Sequence, residues 1–267
     1  MIDRLRRSKS GRIVLAYIDV GQAEQYRTYW ARDWKASRER AKGSPDFLLA
    51  ADADGWNDSY QVAYWDSRWQ KIMAAEVERI MAAGFDGLYL DWVNAFEEDR
   101  VVAEAKRQRI EPARAMVDFV AFLRRHATAK RPGALVVGQN GEYLLDADRR
   151  YLDVIDGIAV EDTWFAGKAG AKWSSPKAGD IANHYKDESS TEARLAQYRK
   201  YLTAGKPVLT IDYCVQPENA ARVYAQAGKA GLVPLVSRVS LEHVTPTPPP
   251  WLERLTNPSG KDRRKGN

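Results

Sequence analysis

Short runs of apolar residues recur along the chain, and most of them are continuous rather than interrupted by polar residues. The clearest run covers residues 12–20, RIVLAYIDV, and ends at Gly21. Continuous runs of this length are typical of strands that are buried on both faces of a parallel sheet. The sequence therefore predicts seven strands, at residues 12–20, 61–65, 87–90, 134–138, 155–161, 207–213 and 232–237.

The segments between these runs carry apolar residues at steps of three and four, which is the spacing of an amphipathic helix. Residues 69–81 show this pattern most clearly, and Gly84 follows as a helix end. Pro112 and Pro217 each stand where a further helix would begin. Repeated alternation of strand and helix predicts an α/β fold, either a (β/α)8 TIM-type barrel or a doubly wound sheet.

Composition narrows the classes of protein that fit this pattern. The chain has 267 residues, of which 45% are hydrophobic and 29% are charged, as in ordinary globular domains. A single cysteine, Cys214, excludes an internal disulfide and a cysteine-based metal site. The net charge is +5, and much of the basic excess lies in the first twelve residues and in residues 254–265. No nucleic-acid-binding motif accompanies these charges. We therefore expect no nucleic-acid partner.

The ends of the chain differ in composition from its middle. Residues 1–11 are polar, and residues 245–267 are Pro-rich and then basic, so a single domain is predicted at residues 12–244. No stretch approaches the roughly 20 consecutive apolar residues of a membrane span, so none is predicted. The basic first residues lack the apolar region of a signal peptide, which favours a cytoplasmic location if Met1 is the true start.

Acidic residues collect at the predicted strand ends, where α/β barrels and open parallel sheets place their functional sites. Asp86 and Asp156 instead precede their strands, so we expect them at the opposite end, in a stabilising role. Carboxylates on one rim repel each other, and a pair with unequal pKa values suits cleavage of a glycosidic bond. The candidates at or after strand ends, either for this catalytic pair or for contact with substrate, are Asp19, Asp66, Asp91, Glu142, Glu161, Asp162 and Asp212.

Aromatic and amide side chains near the same strand ends favour a carbohydrate ligand. Three of the nine tryptophans closely follow predicted strands, and an indole face can stack on a sugar ring. Amide groups nearby can donate hydrogen bonds to sugar hydroxyls. These candidate substrate-binding residues are Trp65, Trp92, Trp164, Asn94, Gln139 and Asn140.

Other uses of this residue set stay open at the level of sequence pattern. Each aspartate alone can cap a loop or a helix, and clustered carboxylates also suit calcium or magnesium. The chain contains no EF-hand spacing, no phosphate-binding loop and no G-x-G-x-x-G segment, so phosphate transfer and dinucleotide binding have no support. It also lacks the G-x-S-x-G segment of serine hydrolases.

Six segments together resemble a known family. In chain order they are AYIDVGQAEQYR, YWDSRWQ, GFDGLYLDW, GQNGE, GIAVED and VLTIDY. Their combination, between about residues 11 and 241, is similar to the endo-α-1,4-polygalactosaminidase-like glycoside hydrolases of family 114. The resemblance implies a TIM barrel, a galactosamine-containing exopolysaccharide as substrate, and a secreted or periplasmic location.

The resemblance also implies which residues act. The family's catalytic carboxylates correspond to Asp91, as nucleophile or electrostatic stabiliser, and Glu161, as general acid/base, without a metal or other cofactor. The protein is expected to be a monomer. Substrate contacts are implied for Asp19, Gln139, Asn140, Asp162 and Tyr213.

Two departures from the family pattern qualify this reading. Relatives commonly carry Gly-Glu where this chain has Gly21-Gln22, which removes one carboxylate from the rim. Relatives also have a strand before residues 12–20, so a barrel without its first strand is expected here. The alternatives are therefore a non-catalytic carbohydrate-binding barrel and a calcium- or magnesium-dependent enzyme of another class.

Overall fold

In a computed structural model of the chain, two compact units can be distinguished. The first comprises the described residues of 1–159 with 203–207, and the second those of 160–202 and 208–267. The predicted tail 245–267 lies outside the described residues except at three positions. The structure describes residues 2–7, 11–35, 42–52, 58–245, 247 and 249.

Six strands form one parallel sheet, and each corresponds to a predicted strand. Their apolar residues are mostly buried, as continuous apolar runs predict. In spatial order they are β1 (Leu15–Asp19), β5 (Gly87–Asp91), β6 (Leu135–Gln139), β7 (Gly157–Glu161), β10 (Val208–Tyr213) and β11 (Val233–Ser237). The predicted α/β class is therefore confirmed.

The seventh predicted strand, residues 61–65, belongs to a different sheet. Within the first unit, β4 (Ser59–Val62) pairs antiparallel with both β2 (Gln22–Glu24) and β3 (Leu48–Ala51). The expectation of a parallel strand at 61–65 is therefore wrong. In the second unit, β8 (Phe165–Ala166) and β9 (Ile181–Ala182) form a short antiparallel pair that the sequence pattern did not predict.

The predicted helices are present, and their starting residues follow ordinary capping rules. Asp66 caps α2 by accepting the N–H of Arg68, and proline stands at the start of α4 and of α8. The helices are α1 (Ile2–Arg7), α2 (Ser67–Ala82), α3 (Asp99–Gln108), α4 (Pro112–Lys130), α5 (Leu144–Ala147), α6 (Tyr151–Val154), α7 (Thr191–Thr203) and α8 (Pro217–Ala230), with a 3-10 helix at Val93–Glu97. Among the described residues, none of these is long and apolar enough to cross a membrane.

Asp86 and Asp156 precede β5 and β7 and are held there by arginine, as predicted. Asp86 accepts hydrogen bonds from Arg6 and Arg131, and Asp156 accepts one from Arg124 at 2.6 Å. Burial raises the pKa of each carboxyl, but backbone N–H donors and the guanidinium groups outweigh it, so both pKa values are lowered. Both carboxylates therefore stabilise the amino-terminal ends of the strands.

Candidate active site

In the first unit, Asp91 ends β5 and is held by two donors. The hydroxyl of Tyr17 donates to its Oδ2 at 2.6 Å, and the backbone N–H of Trp92 donates to its Oδ1 at 2.8 Å. Burial, then the charges of Asp91 and Asp19, raise the pKa of Tyr17, so the phenol stays a donor. Hydrogen bonds of this kind favour the ionised form of a carboxylate and fix its orientation.

Asp19 ends β1 and lies directly opposite Asp91 in the register of the two strands. Its side chain is buried and accepts the backbone N–H groups of Gly21 and Gln22 at 3.1 and 2.8 Å. Burial raises the pKa of Asp19 well above its ordinary value, and the charges of Asp91 and Glu24 add to this effect. The first unit therefore contains one carboxyl group with a strong tendency to stay protonated beside Asp91.

Gln22, the residue that departs from the expected Gly-Glu pattern, has a defined partner. Its buried side chain donates through Nε2 to Asp52 at 2.8 Å. A glutamate at this position would face the carboxylate of Asp52, so the amide matches its surroundings. Gly21 precedes it, and a Cβ atom there would lie 2.3 Å from the carbonyl oxygen of Trp92. Only glycine permits this close approach of the segments that follow β1 and β5.

Residues that directly follow three strands adopt the left-handed conformation. Trp92 after β5, Asn140 after β6 and Asp162 after β7 have φ values of 57°, 59° and 56°. This conformation is unfavourable for residues other than glycine, and it is tolerated best by asparagine and aspartate. Such strained residues cluster at functional sites, where the surrounding structure fixes them.

Gln139, Asn140 and Glu142 form the end of β6 and its loop in the first unit. The hydroxyl of Tyr89 donates to Oε1 of the buried Gln139, and the N–H of Asn140 donates to the carbonyl of Ala159 at 2.7 Å. The side chain of Glu142 is also buried. A Cβ atom on Gly141 would lie 3.3 Å from the backbone nitrogen of Asn94, so Asn94 borders this loop.

In the second unit, Glu161 ends β7 and is fixed at both its side chain and its backbone. The hydroxyl of Tyr213, at the end of β10, donates to its Oε1. Arg194, on α7, donates to the carbonyl oxygen of Glu161 at 2.7 Å. The contact of Tyr213 with substrate stays a prediction, and its hydroxyl is directed at the carboxylate of Glu161.

Asp162 follows Glu161 and has an unusual protonation equilibrium. Burial, then the charges of Glu161 and Asp212, raise its pKa to about 8, while Arg194 opposes the shift. The Oδ1 atom of Asp162 is buried without a hydrogen-bond partner among the described residues. This carboxyl group is thus largely neutral at pH 7.

Asp212 and Trp164 lie inside the second unit. Asp212 is 0% exposed, and its Oδ1 accepts the backbone N–H groups of Trp164 and Phe165 at 2.6 and 2.9 Å. Burial raises the pKa of Asp212 to about 6, although these two N–H donors oppose the shift. Trp164 is 9% exposed. The predicted contact of Asp212 with substrate and the predicted stacking of Trp164 on a sugar stay predictions, and both side chains are buried in this structure.

Cys214 follows Tyr213 on the same segment and is buried. Burial, then the charges of Asp212 and Asp180, raise the pKa of its thiol to about 12. The thiolate form is therefore nearly absent at neutral pH, so this cysteine has no feature of a nucleophile.

Trp65 and Asp66 do not lie at the end of a parallel strand. They follow the antiparallel strand β4, so their predicted place on the carboxyl rim of the main sheet is wrong. The Nε1 of Trp65 donates to Gln108 at 2.9 Å, and the carboxylate of Asp66 caps α2 and pairs with Arg68 at 2.6 Å. Both side chains thus have local structural partners.

Sequence reasoning missed Tyr17, Tyr89 and Arg194. A signal for the two tyrosines exists, because β1 and β5 both end in the pattern Tyr-x-Asp, at residues 17–19 and 89–91. In-register pairing places Tyr17 opposite Tyr89 on the adjacent strand. Residues two apart share a strand face, so each tyrosine lies on the same face as the following aspartate.

Metal binding by clustered carboxylates was an open alternative. Within the described part of the chain, no group of three or more His, Cys, Asp or Glu side chains is arranged to hold a metal ion. The carboxylates of Asp19, Asp91 and Asp212 accept hydrogen bonds from tyrosine or backbone donors instead.

Comparison with known proteins identifies the family. Residues 1–249 match glycoside-hydrolase family GH114. The chain belongs to this family. An uncharacterized protein of Deinococcus radiodurans is 34% identical over 240 residues, which are 89% of this chain and 68% of that protein. The predicted family is thus confirmed, and the class of activity is glycoside hydrolysis.

Two solved structures show the fold of this GH114 protein. The glycoside hydrolase domain of PelA from Pseudomonas aeruginosa aligns with a TM-score of 0.64 at 20% identity, covering 92% of this chain and 85% of that one. Ega3 of Aspergillus fumigatus, in a complex with galactosamine, aligns with a TM-score of 0.63 at 18% identity, covering 90% and 79%. The predicted TIM-type α/β fold is confirmed by these likenesses.

Proposed function

We propose that this GH114 protein hydrolyses α-1,4-linked, galactosamine-containing polysaccharide, with Asp91 and Glu161 as its pair of catalytic carboxylates. The observation that supports this proposal is a shared arrangement. Each of the two ends a strand of the parallel sheet, and each accepts a hydrogen bond from a tyrosine hydroxyl of another strand. Strand ends of this kind are where TIM-type enzymes carry their catalytic residues.

The proposed roles are those that the family resemblance implies, and the hydrogen bonds of Asp91 are consistent with its part. Asp91 accepts two hydrogen bonds that favour its ionised form, which suits a nucleophile or an electrostatic stabiliser of the oxocarbenium-like transition state. Glu161 would protonate the leaving glycosidic oxygen and then accept a proton from water. Asp162 beside it, with a pKa of about 8, adds little negative charge at pH 7.

The proposed substrate is an amino sugar polymer, whose free amino groups are cationic. Ionised carboxylates near the strand ends would attract such a polymer despite the net charge of +5, because distant charges are screened over about 8 Å at physiological salt. Family membership and the galactosamine bound to the similar Ega3 support this choice of sugar. An exopolysaccharide substrate would also favour an extracytoplasmic location.

The test is release of reducing ends from purified polygalactosamine. We expect Asp91→Asn and Glu161→Gln each to lower turnover by on the order of 10³-fold, because each removes one of two required carboxylates. Asp118→Asn is a matched control, because Asp118 is exposed and forms a surface ion pair with Arg150.

Other outcomes would contradict the proposal in distinguishable ways. Binding of the polymer without any turnover by the unaltered protein would favour a non-catalytic carbohydrate-binding barrel. Loss of activity on treatment with EDTA, restored by calcium or magnesium, would favour a metal-dependent enzyme. Full activity of both carboxylate variants would show that other residues carry out the reaction.

A further inference from the structure

The loop that follows Glu161 depends on a buried carboxylate for its backbone donors. Oδ1 of Asp212 accepts the N–H groups of Trp164 and Phe165 at 2.6 and 2.9 Å, and the side chain has no exposed surface. Its second oxygen, Oδ2, has no hydrogen-bond partner among the described residues. Burying a carboxylate costs several kcal/mol, so this one is retained against a considerable penalty.

Asp212 and Tyr213 are consecutive residues at the end of β10, so their side chains lie on opposite faces of the strand. Tyr213 donates to the carboxylate of Glu161, while Asp212 accepts from the loop that follows Glu161. One strand end thus fixes both the side chain of Glu161 and the backbone that carries it.

Side chains of α7 donate hydrogen bonds to the carbonyl groups of Glu161 and of the loop that follows it. Thr191 donates through Oγ1 to the carbonyl of Thr163 at 2.7 Å, and Arg194 donates to that of Glu161 at 2.7 Å. The segment therefore has partners for carbonyl groups as well as for N–H groups, and Asp212 supplies the acceptor for two successive N–H groups. Removal of its carboxylate would leave these N–H groups unpaired at a buried position, which is costly.

We propose that Asp212 is a positioning residue that holds Glu161 in its reactive geometry by fixing the backbone of residues 162–165. This inference rests on the proposed function of Glu161 as general acid/base. It replaces the role of substrate contact that the sequence predicted for Asp212, and it assigns a catalytic effect to a residue that no substrate can reach.

The charged and titratable neighbours of Asp212 give the arrangement a pH dependence. Burial raises its pKa to about 6, the backbone donors and Arg194 lower it, and Asp162 and Cys214 are the other titratable groups beside it. Below about pH 6 the carboxylate gains a proton and becomes a weaker acceptor. The raised pKa means that the folded arrangement nevertheless favours the protonated form, so the loop should open more readily as pH rises above this value.

The experiment compares kcat and KM for polygalactosamine hydrolysis. We expect Asp212→Ala to lower kcat by about 10²-fold with KM changed less than about threefold, because displacement of a catalytic group by about 1 Å has an effect of this size. Asp212→Asn keeps an acceptor oxygen at Oδ1 and should recover most of kcat. It should also remove the pH dependence that Asp212 gives to opening of the loop near pH 6, because an amide does not titrate.

Asp180→Ala is the matched control. Asp180 also accepts two backbone N–H groups in the second unit, those of Val215 and Gln216 at 3.1 and 3.0 Å, but among the described residues its carboxylate accepts no hydrogen bond from the loop after Glu161. This variant should retain kcat. An equal loss of kcat in Asp180→Ala would overturn the proposal, because it would show that any loss of stability in this unit abolishes activity.

Amide hydrogen exchange provides a readout that does not require activity. The amides of Trp164 and Phe165 should lose protection in Asp212→Ala and, in the unaltered protein, as pH rises above about 6. Unchanged protection would overturn the proposal, as would a rise in KM with kcat retained, which would indicate substrate contact. If the unaltered protein showed no turnover, the proposed function would fail, while the exchange data would still test the role of Asp212.

Discussion

At the scale of single residues, tyrosine hydroxyls determine how the polar strand ends are oriented. A phenol donor fixes a carboxylate or amide without adding charge, so the acceptor keeps one orientation. The three donor–acceptor pairs are Tyr17 with Asp91, Tyr89 with Gln139, and Tyr213 with Glu161.

Removing one of these hydroxyls should affect turnover more than binding. Tyr213→Phe deletes the donor to Glu161 while keeping the ring, and a hydrogen bond to a charged group contributes about 1.5–3 kcal/mol. We expect kcat for polygalactosamine to fall by about 10- to 100-fold with little change in KM. Tyr185→Phe, at a tyrosine that is 67% exposed, is the control. Equal rates for both variants would show that the hydroxyl of Tyr213 has no catalytic effect.

The sequence predicted the strand-end carboxylates but not their hydrogen-bond donors. Position at the end of an apolar run is enough to select Asp19, Asp91 and Glu161. The donor to each depends on strand order and on which face of a strand each side chain occupies. The burial of Asp212 could not be predicted from its position either. Asp212 and Tyr213 both end the same apolar run, but they lie on opposite faces of β10.

At the scale of elements, the parallel strands were readily predicted, and the antiparallel strands were not. Strands buried on both faces give continuous apolar runs, whereas β2 and β3 are only three and four residues long. Short strands of this kind take their conformation from tertiary pairing rather than from a sequence period. The predicted position of Asp66 was wrong because the strand before it, β4, belongs to the three-stranded antiparallel sheet.

The end of α3 offers a test of backbone strain that is separate from the site. Arg109 terminates this helix with φ of 58°, where glycine is the favoured residue. We expect Arg109→Gly to raise the free energy of unfolding by about 0.5–1 kcal/mol, or Tm by about 1–4 °C. Lys106→Gly, within the helical part of α3, should instead lower the free energy of unfolding by about 1 kcal/mol. Thermal unfolding of both variants measures the contrast, and a lower Tm for Arg109→Gly would contradict it.

At the scale of the whole molecule, buried carboxyl groups should make stability depend on pH. Asp162 and Asp212 have folded-state pKa values of about 8 and 6, above the value of about 3.9 for an unfolded aspartate. From about pH 4 up to each folded-state pKa, the folded state therefore binds more protons than the unfolded state. The free energy of unfolding should fall as pH rises, by about 1.4 kcal/mol per pH unit for each proton in which the states differ.

Urea unfolding at pH 4.5 and pH 8.5 measures this dependence. Asp162→Asn should weaken the dependence of the free energy of unfolding on pH up to about pH 8. Asp212→Asn should weaken it up to about pH 6, because neither amide titrates. Asp118→Asn, at an exposed position, should leave it unaltered. Equal slopes in all three variants would locate the proton uptake in other groups.

The burial of Cys214 gives this protein a chemical reporter of its own unfolding. Because it is the single thiol of the chain and its pKa is raised to about 12, a maleimide dye should leave the native state unlabelled. Labelling would occur only in molecules whose β10 has separated from its neighbours. The rate of dye incorporation would thus measure how often the strand that carries Asp212 and Tyr213 detaches, without any engineered probe.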